Sequence, residues 1–474
     1  MSAHSDVSPA RSHMCAGHLA HGHMQIKNER GETLITKEII NSILGISESY
    51  ELPERMMSFL FDDSKREKMF DMFMEHSNDL THDWFTSYFE EEHSNKTKMA
   101  QDFTPSAVCD ILGNVVEPGN SIADLCAGTG GLTISAWTKN HDAMFYCYEF
   151  SGRAMPLLIF NLSIRNMNAV VTRCNLLTGE HFEWYRLEKG ERYSHVRQCD
   201  AVDDIHVDTV ISNPPYSQKY DWKKDIRDWK GKKDMPSNFG DYIFIRAGLE
   251  MLNDGGRMGF ILPHGVLFRS NKEMAFRKKL IDSGMIEGVI GLPDKLFLNT
   301  GIPTCIMIIS KRAAQNDKSC MFIDADKECT HEGKLNVMNP DNVKKVCDAY
   351  HRRADIERFA HLAQLEEMTD NDYNMNIPRY VDTYVPEPIP DFFQLMHELG
   401  EIEREINRTE IDLVRMSSDL VGQTQQITDE KQSAIDEYLT ELTKGRRKYE
   451  QQAIRFGVEV PCTGRRGGDK KGTR

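Results

Sequence analysis

Residues Ile122-Ala123-Asp124-Leu125-Cys126-Ala127-Gly128-Thr129-Gly130-Gly131-Leu132 read as an apolar strand that runs into a glycine turn and opens a helix. Gly128, Gly130 and Gly131 give the backbone conformations that other residues avoid and let it approach a ligand closely. A dinucleotide-binding turn wants a further glycine five residues after the first, and that position holds Thr133. A pyrophosphate is therefore disfavoured. Glu149 ends the next apolar run, 18 residues past Gly131, where a carboxylate can accept hydrogen bonds from both hydroxyls of a ribose. Taken alone, Glu149 also reads as a solvated surface residue. Together the two features suggest a nucleoside without a pyrophosphate, and S-adenosyl-L-methionine fits.

Outward from this turn, apolar β-branched runs alternate with helical patterns. The runs cover residues 121–125, 144–148, 169–173, 207–212, 257–262, 286–292 and 304–310, and helices are expected at about 131–139, 151–166, 241–253 and 271–283. That alternation implies a mostly parallel sheet covered on both faces, a doubly wound α/β domain. Ligands of such sheets sit at the carboxyl ends of the strands. The domain spans 101–330, with an extension at 331–390 packed on it. Before it, 1–24 read as a disordered leader, with a metal-binding role for His4, His13, His18, His21 and His23 left open. Residues 25–100 form an amino-terminal helical domain with no recognisable chemistry. At 391–460, Leu399, Ile402, Ile406, Leu413, Met416 and Leu420 follow a 4-3 spacing broken only by Thr409, the pattern of a helix packed along a seam against another helix. The seam fits a partner subunit or the chain's own core. Arg465, Arg466, Lys470, Lys471 and Arg474 make 461–474 a basic tail.

The segment Ser212-Asn213-Pro214-Pro215-Tyr216 directly follows the run 207–212. Two consecutive prolines fix the backbone and withdraw two N–H donors, so carbonyl oxygens are presented without competition. The Asn213 side-chain oxygen and a proline carbonyl can then accept both hydrogens of a planar exocyclic amino group. Accepting those bonds favours a tetrahedral, nucleophilic nitrogen. The Tyr216 ring can hold the base by stacking, worth about 1–3 kcal/mol per base. A tight turn after a strand is the competing reading of an Asn-Pro pair. Behind a cofactor-type glycine turn, the segment reads as a site for methylating an amino group.

These motifs resemble the modification (M) subunit of type I restriction-modification systems, adenine-specific DNA methyltransferases. The resemblance runs from about Gln101 to Tyr380. Besides the glycine turn, Glu149 and the Asn213 to Tyr216 motif, it rests on Gln101-Asp102-Phe103-Thr104-Pro105-Ser106, the stretch from Phe260 to Phe268, Val289 to Pro293 with Leu296 and Phe297, and Asp372 to Tyr380. It implies a Rossmann-like S-adenosylmethionine-dependent methyltransferase sheet flanked by amino-terminal and carboxy-terminal helical regions. Carried over residue by residue, Gln101, Phe103, Thr104, Pro105, Ser106, Asp124, Cys126, Gly128, Thr129, Gly130, Gly131, Glu149 and Asn175 hold the methyl donor. Asn213, Pro214, Pro215 and Tyr216 hold a flipped adenine and form the catalytic site. The implied reaction is direct methyl transfer to the adenine N6 amino group, with no metal. The base must first leave the stack, at a cost of a few kcal/mol. The implied partners are double-stranded DNA, a specificity subunit that reads the sequence and a second M subunit; whether a restriction nuclease subunit joins them stays open. This chain departs from the family in having Leu125 where Asp-Pro usually opens the glycine loop, and Asn175 where an acidic residue commonly ends the third strand. A protein glutamine N-methyltransferase and a non-catalytic scaffold subunit are the alternative readings.

The 474 residues, 40% of them apolar, can bury a large core and exceed one ordinary domain. No run of 18 apolar residues suggests a membrane span, and no secretory signal is read at the start, so a cytoplasmic protein is expected. Eleven scattered cysteines with no C-x-x-C pair argue against a disulfide framework and a structural zinc. The net charge of −15 first speaks against DNA, since phosphates demand Lys and Arg. Its distribution reverses that: 101–208 carry 8 basic and 14 acidic groups, whereas 209–330 carry 19 and 15. Within the second half, 219–233 hold seven basic and three acidic residues interleaved with Tyr220, Trp222 and Trp229. That stretch reads as a DNA-contacting loop, or more plainly as a solvated one.

Overall fold

All seven apolar runs become strands of one eleven-stranded sheet. In the computed structural model, which describes residues 35–86, 88, 104–218, 240–297, 301–312, 318–384, 391–418 and 424–455, these are β1 (Ser121–Asp124), β2 (Met144–Glu149), β3 (Asn168–Asn175), β4 (Glu180–Glu188), β5 (His195–Gln198), β6 (Val207–Ser212), β7 (Leu252–Pro263), β8 (Ile286–Gly291), β9 (Thr304–Ser310) and β10 (Cys320–Asp324). A separate hairpin, β11 (Thr330–Glu332) and β12 (Leu335–Val337), precedes the last sheet strand, β13 (Ala360–Ala363). The order across the sheet is β13-β10-β8-β9-β7-β6-β1-β2-β3-β4-β5. Its middle, β7-β6-β1-β2-β3, is parallel throughout. Antiparallel pairing enters only outside it, through β9, β13 and β4. The expected doubly wound α/β fold is therefore present, widened at both ends. Strands β4, β5, β10 and β13 were not expected. The first three residues of β4 are exposed, so its sequence lacks the apolar run that marks a buried strand.

From β1 the chain steps one way to β2 and β3, and it later returns to the other side of β1 as β6 and β7. A crevice opens where the winding reverses. Asp124 pairs with Ile211, and the next N–H, of Leu125, donates to the Ile211 carbonyl at 3.1 Å. The glycine turn and the Asn213 motif thus leave the sheet side by side.

Helices α1 (Lys37–Leu44), α2 (Leu52–Leu60) and α3 (Asp63–Met74) precede α4 (Ser106–Val116), α5 (Gly131–Lys139) and α6 (Met155–Ile164). Every residue of α6 is buried, as an all-round apolar helix requires. Its cover comes from the amino-terminal region: the rings of Phe70, Phe73, Trp84 and Phe85 surround Phe160 at centroid separations of 5.0, 4.7, 6.4 and 5.1 Å. Each such pair is worth about 0.5–1.5 kcal/mol beyond area burial. The described residues before 100 therefore share one core with the sheet. Helix α4 lies flush on β7, where a Cβ on Gly259 would stand 2.5 Å from both Leu112 and Val116. Glycine is what permits this approach.

Helices α7 (Asp241–Met251), α8 (Lys272–Asp282), α9 (Pro340–Arg352) and α10 (Leu365–Asp370) complete the first of two compact units, which divide between Tyr384 and Val385. The second unit holds α11 (Phe392–Ser418) and α12 (Gln425–Arg455). On α11, the heptad positions Leu399, Ile402, Ile406, Leu413 and Met416 are all exposed. The leader 1–24, Gln101, Phe103, the basic stretch 219–233, Leu420 and the tail 461–474 lie outside the described residues. Among the described residues, no helix is long and apolar enough to cross a membrane, and no cluster of three His, Cys, Asp or Glu is placed to hold a metal.

Candidate active site

The crevice beside β1 and β6 is a cavity of about 220 Å³. One wall is the glycine turn. Gly128 and Gly130 have φ of 57° and 106°, left-handed conformations that favour glycine. Gly130 also caps α5, so the turn closes directly into the helix. Beneath the turn, the Ala127 N–H donates to the Tyr148 carbonyl at 2.9 Å. The Gly128 N–H donates to Glu149 Oε2 at 2.7 Å, and the Ser151 N–H to Oε1 at 2.6 Å. Burial pushes the Glu149 carboxyl above its usual range, against these backbone donors. Two N–H groups thus hold the carboxylate at the cavity edge, with lone pairs to spare for a ligand.

Of the residues expected to hold the donor, Thr104, Cys126, Gly128, Thr129, Gly131, Glu149 and Asn175 line the cavity; Pro105, Ser106, Asp124 and Gly130 do not. Asp124 is buried under the turn, where it accepts from the Thr133 hydroxyl at 2.7 Å and the Cys126 N–H at 3.3 Å. Burial pushes its carboxyl up to about 7. The Thr133 that breaks the dinucleotide pattern is therefore the residue that pins the helix to the strand. Asn175 uses its side-chain oxygen to close the following turn, accepting from the N–H groups of Leu177 and Thr178 at 3.0 and 3.3 Å.

The facing wall is Asn213, Pro214, Pro215 and Tyr216. The Asn213 Nδ2 donates to Thr104 Oγ1 at 2.9 Å. The buried ring of Phe297 meets Tyr216 edge-on, with centroids 6.0 Å apart and planes at 87°. Behind the motif, Asp241, with no exposed surface, accepts from the Ser217 N–H at 2.8 Å and from Arg269 at 2.6 Å, while Arg269 also donates to the Ser217 hydroxyl at 2.6 Å. This clamp fixes the chain as it leaves Tyr216.

The amino-terminal region was expected to carry no chemistry, and that reading needs correcting: Asp83 and Thr86 line the cavity. Asp83 accepts from Thr129 of the glycine turn, from Asn161 in the middle of α6 at 2.7 Å, from Thr86 at 3.0 Å and from the Phe85 N–H at 2.9 Å. Arg165 of the same helical segment holds the approach to Asp83 through the carbonyls of Leu80 and His82. Covering α6 is what brings Asp83 to the turn. Phe150, exposed at 63%, also lines the cavity. A bulky apolar residue just after a strand-end carboxylate was the available signal for it; nothing in the sequence singled out Asp83. The carboxylates lining the cavity are Asp83 and Glu149, and no Lys, Arg or His does so among the described residues.

The sequence profile of the N-6 DNA Methylase family matches residues 77–387, a span that takes in Asp83. The chain is 25% identical over 355 residues to the type I restriction enzyme MjaVIII methylase subunit of Methanocaldococcus jannaschii, covering 70% of this chain and 58% of that protein. It is 25% identical over 315 residues to the MpnII methylase subunit of Mycoplasma pneumoniae, covering 63% and 56%. The chain thus spans a little over half the length of these curated relatives. Among solved structures, it resembles a type I restriction-modification methyltransferase subunit from Streptococcus thermophilus, with a TM-score of 0.55, 26% identity, and coverage of 73% of this chain and 79% of that one.

Proposed function

Because this chain belongs to the N-6 DNA methylase family, we propose that it transfers a methyl group from S-adenosylmethionine to the N6 amino group of adenine in DNA, as the modification subunit of a type I system. The observation that carries this reading is the cavity itself. A nucleoside wall of glycine turn and Glu149 faces the Asn213 to Tyr216 wall, and among the described residues the lining holds carboxylates and no basic side chain. The methyl donor carries a sulfonium and an ammonium against one carboxylate, and it suits acidic surroundings.

The donor supplies an electrophilic methyl group; the chain supplies alignment and hydrogen bonds. Glu149 accepts from the ribose hydroxyls. The Asn213 side-chain oxygen and the Pro214 carbonyl accept both hydrogens of the adenine amino group and turn its lone pair toward the methyl. Tyr216 stacks on the extruded base, held from the side by Phe297. Partners follow from the same reading. A specificity subunit reads the DNA sequence, and the exposed stripe on α11 is the surface assigned to it. A second modification subunit belongs to the same assembly.

The test is expression in a host free of adenine methylation, with and without the specificity subunit, followed by sequencing for N6-methyladenine. Modification at one defined motif is expected only when both are present, and it should vanish with Asn213→Ala. Unchanged modification in that variant would overturn the mechanism. Full-rate methylation of a defined site by the purified chain alone would overturn delegated recognition.

A further inference from the structure

No residue in either strand of the hairpin β11–β12 is buried, so the strands add nothing to the core, and two strands on their own are marginally stable. Asn336 ties the hairpin to the molecule. Its side-chain nitrogen donates to the Asp294 carbonyl and to Asp294 Oδ1, both at 2.8 Å, and its backbone N–H donates to the Lys295 carbonyl at 3.0 Å. A peptide carbonyl can only accept, so Asp294 fixes which end of the amide faces it. The amide oxygen meets Nδ1 of His331, its partner across the hairpin, at 2.9 Å.

The segment so tied is the one that carries Phe297. It is held after β8 by the Leu292 N–H, which donates to the Thr304 carbonyl at 2.9 Å, and it bends through Lys295 at a φ of 51°. That left-handed conformation is disfavoured for a residue with a side chain and persists where the surroundings impose it. Just past the bend, Leu296 and Phe297 are buried, and the Phe297 ring meets Tyr216 edge-on. We propose that Asn336 is a positioning residue for methyl transfer: it braces the Lys295 bend, the bend sets the Phe297 ring, and that ring holds Tyr216 square to the extruded base. This rests on the role given to Tyr216 above.

The test uses the complex of the chain with its specificity subunit, unmethylated target DNA and donor labelled on the methyl group. Asn336→Ala keeps the backbone bond to Lys295, so it is expected to lower the single-turnover rate by about 10-fold, against about 100-fold for a reacting group misplaced by about 1 Å. Asn336 does not line the cavity, and the donor Kd, measured by calorimetry, should stay within about twofold. With 2-aminopurine in place of the target adenine, the fluorescence lifetimes of the bound DNA should move toward those given by Tyr216→Ala, a shift that a general loss of stability does not produce. In a Phe297→Leu background, Asn336→Ala should cost less than about twofold more, as expected of two residues that act through one ring. An unchanged rate, a donor Kd that weakens in step with the rate, unmoved lifetimes, or an undiminished penalty beside Phe297→Leu would each overturn the proposal. If Asn336→Ala does not fold, Asn336→Asp, which keeps the shape and sets a carboxylate against the Asp294 oxygens, takes its place with the same outcomes. Wild-type methylation in Tyr216→Ala would instead sink the role assigned to that ring.

Discussion

Removing the Asp83 carboxylate should damage stability and donor binding separately, and the two can be read apart. In Asp83→Ala, Thr129 and Asn161 lose an acceptor, and they are 2% and 0% exposed. A buried polar group left without its partner costs about 1–3 kcal/mol, so the two together cost about 2–6 kcal/mol. Asn161 keeps its bond to the Thr129 carbonyl at 2.7 Å, which favours the lower half of that range. Asp83→Asn keeps one oxygen, and the Thr129 and Thr86 hydroxyls can turn to meet the new amide, so its cost should be about 1–2 kcal/mol. Both variants remove one of the two carboxylates that line the cavity among the described residues. For a cation about 8 Å away at an effective dielectric constant of about 20, a unit charge is worth about 2 kcal/mol, or about 30-fold in Kd. S-adenosylhomocysteine has lost the sulfonium charge and should weaken far less. Urea unfolding gives the first quantity; calorimetric titration with both ligands gives the second. Equal weakening of donor and product would refute the electrostatic argument, and an Asp83→Ala protein as stable as the parent would refute the latch.

The Asp124 carboxyl, pushed up to about 7 by burial, holds its proton more tightly when folded than unfolded. Its contribution to stability is therefore complete below about pH 4 and is lost as pH rises toward 7, by up to about 4 kcal/mol. Asp124→Asn should remove that slope and be the more stable protein at pH 8 by thermal melting; a less stable variant at that pH would contradict the assignment. Arg269→Ala takes the guanidinium from the fully buried Asp241 and should cost about 3–5 kcal/mol in urea unfolding, with a loss below about 1 kcal/mol counting against the clamp. Gly259→Ala drives a methyl into Leu112 and Val116 and should cost about 1–3 kcal/mol; a neutral result would mean that α4 is free to move off the sheet.

The centre of the fold was legible because buried parallel strands are written as apolar runs, and the glycine turn and the Pro214-Pro215 pair follow directly on the ends of β1 and β6. The expected Val207–Ser212 and Thr304–Ser310 strands and the Gly131–Lys139 helix match the structure residue for residue. The edges were not legible. Strand β4 begins with exposed Glu180, His181 and Phe182, and β13 has only four residues, too little pattern for a period to show. The walls of the site were found through Gly128, Glu149 and Asn213, whose chemistry depends on local geometry. Asp83 escaped because it acts from 46 residues away, through a hydrogen bond to Thr129 that exists only once α6 is covered. Asp124 stands off the cavity lining: a carboxylate beside a glycine turn reads equally well as a ligand contact or as a buried strut, and here it braces Thr133.

The single hydrogen bond from Leu125 to Ile211 sets a length scale for the whole site. Neighbouring strands in a sheet stand about 4.8 Å apart, a spacing fixed by peptide geometry. The two walls of the cavity hang from two such neighbours, so on the proposed reading the gap that a methyl group crosses is ruled off in units of the β-ladder.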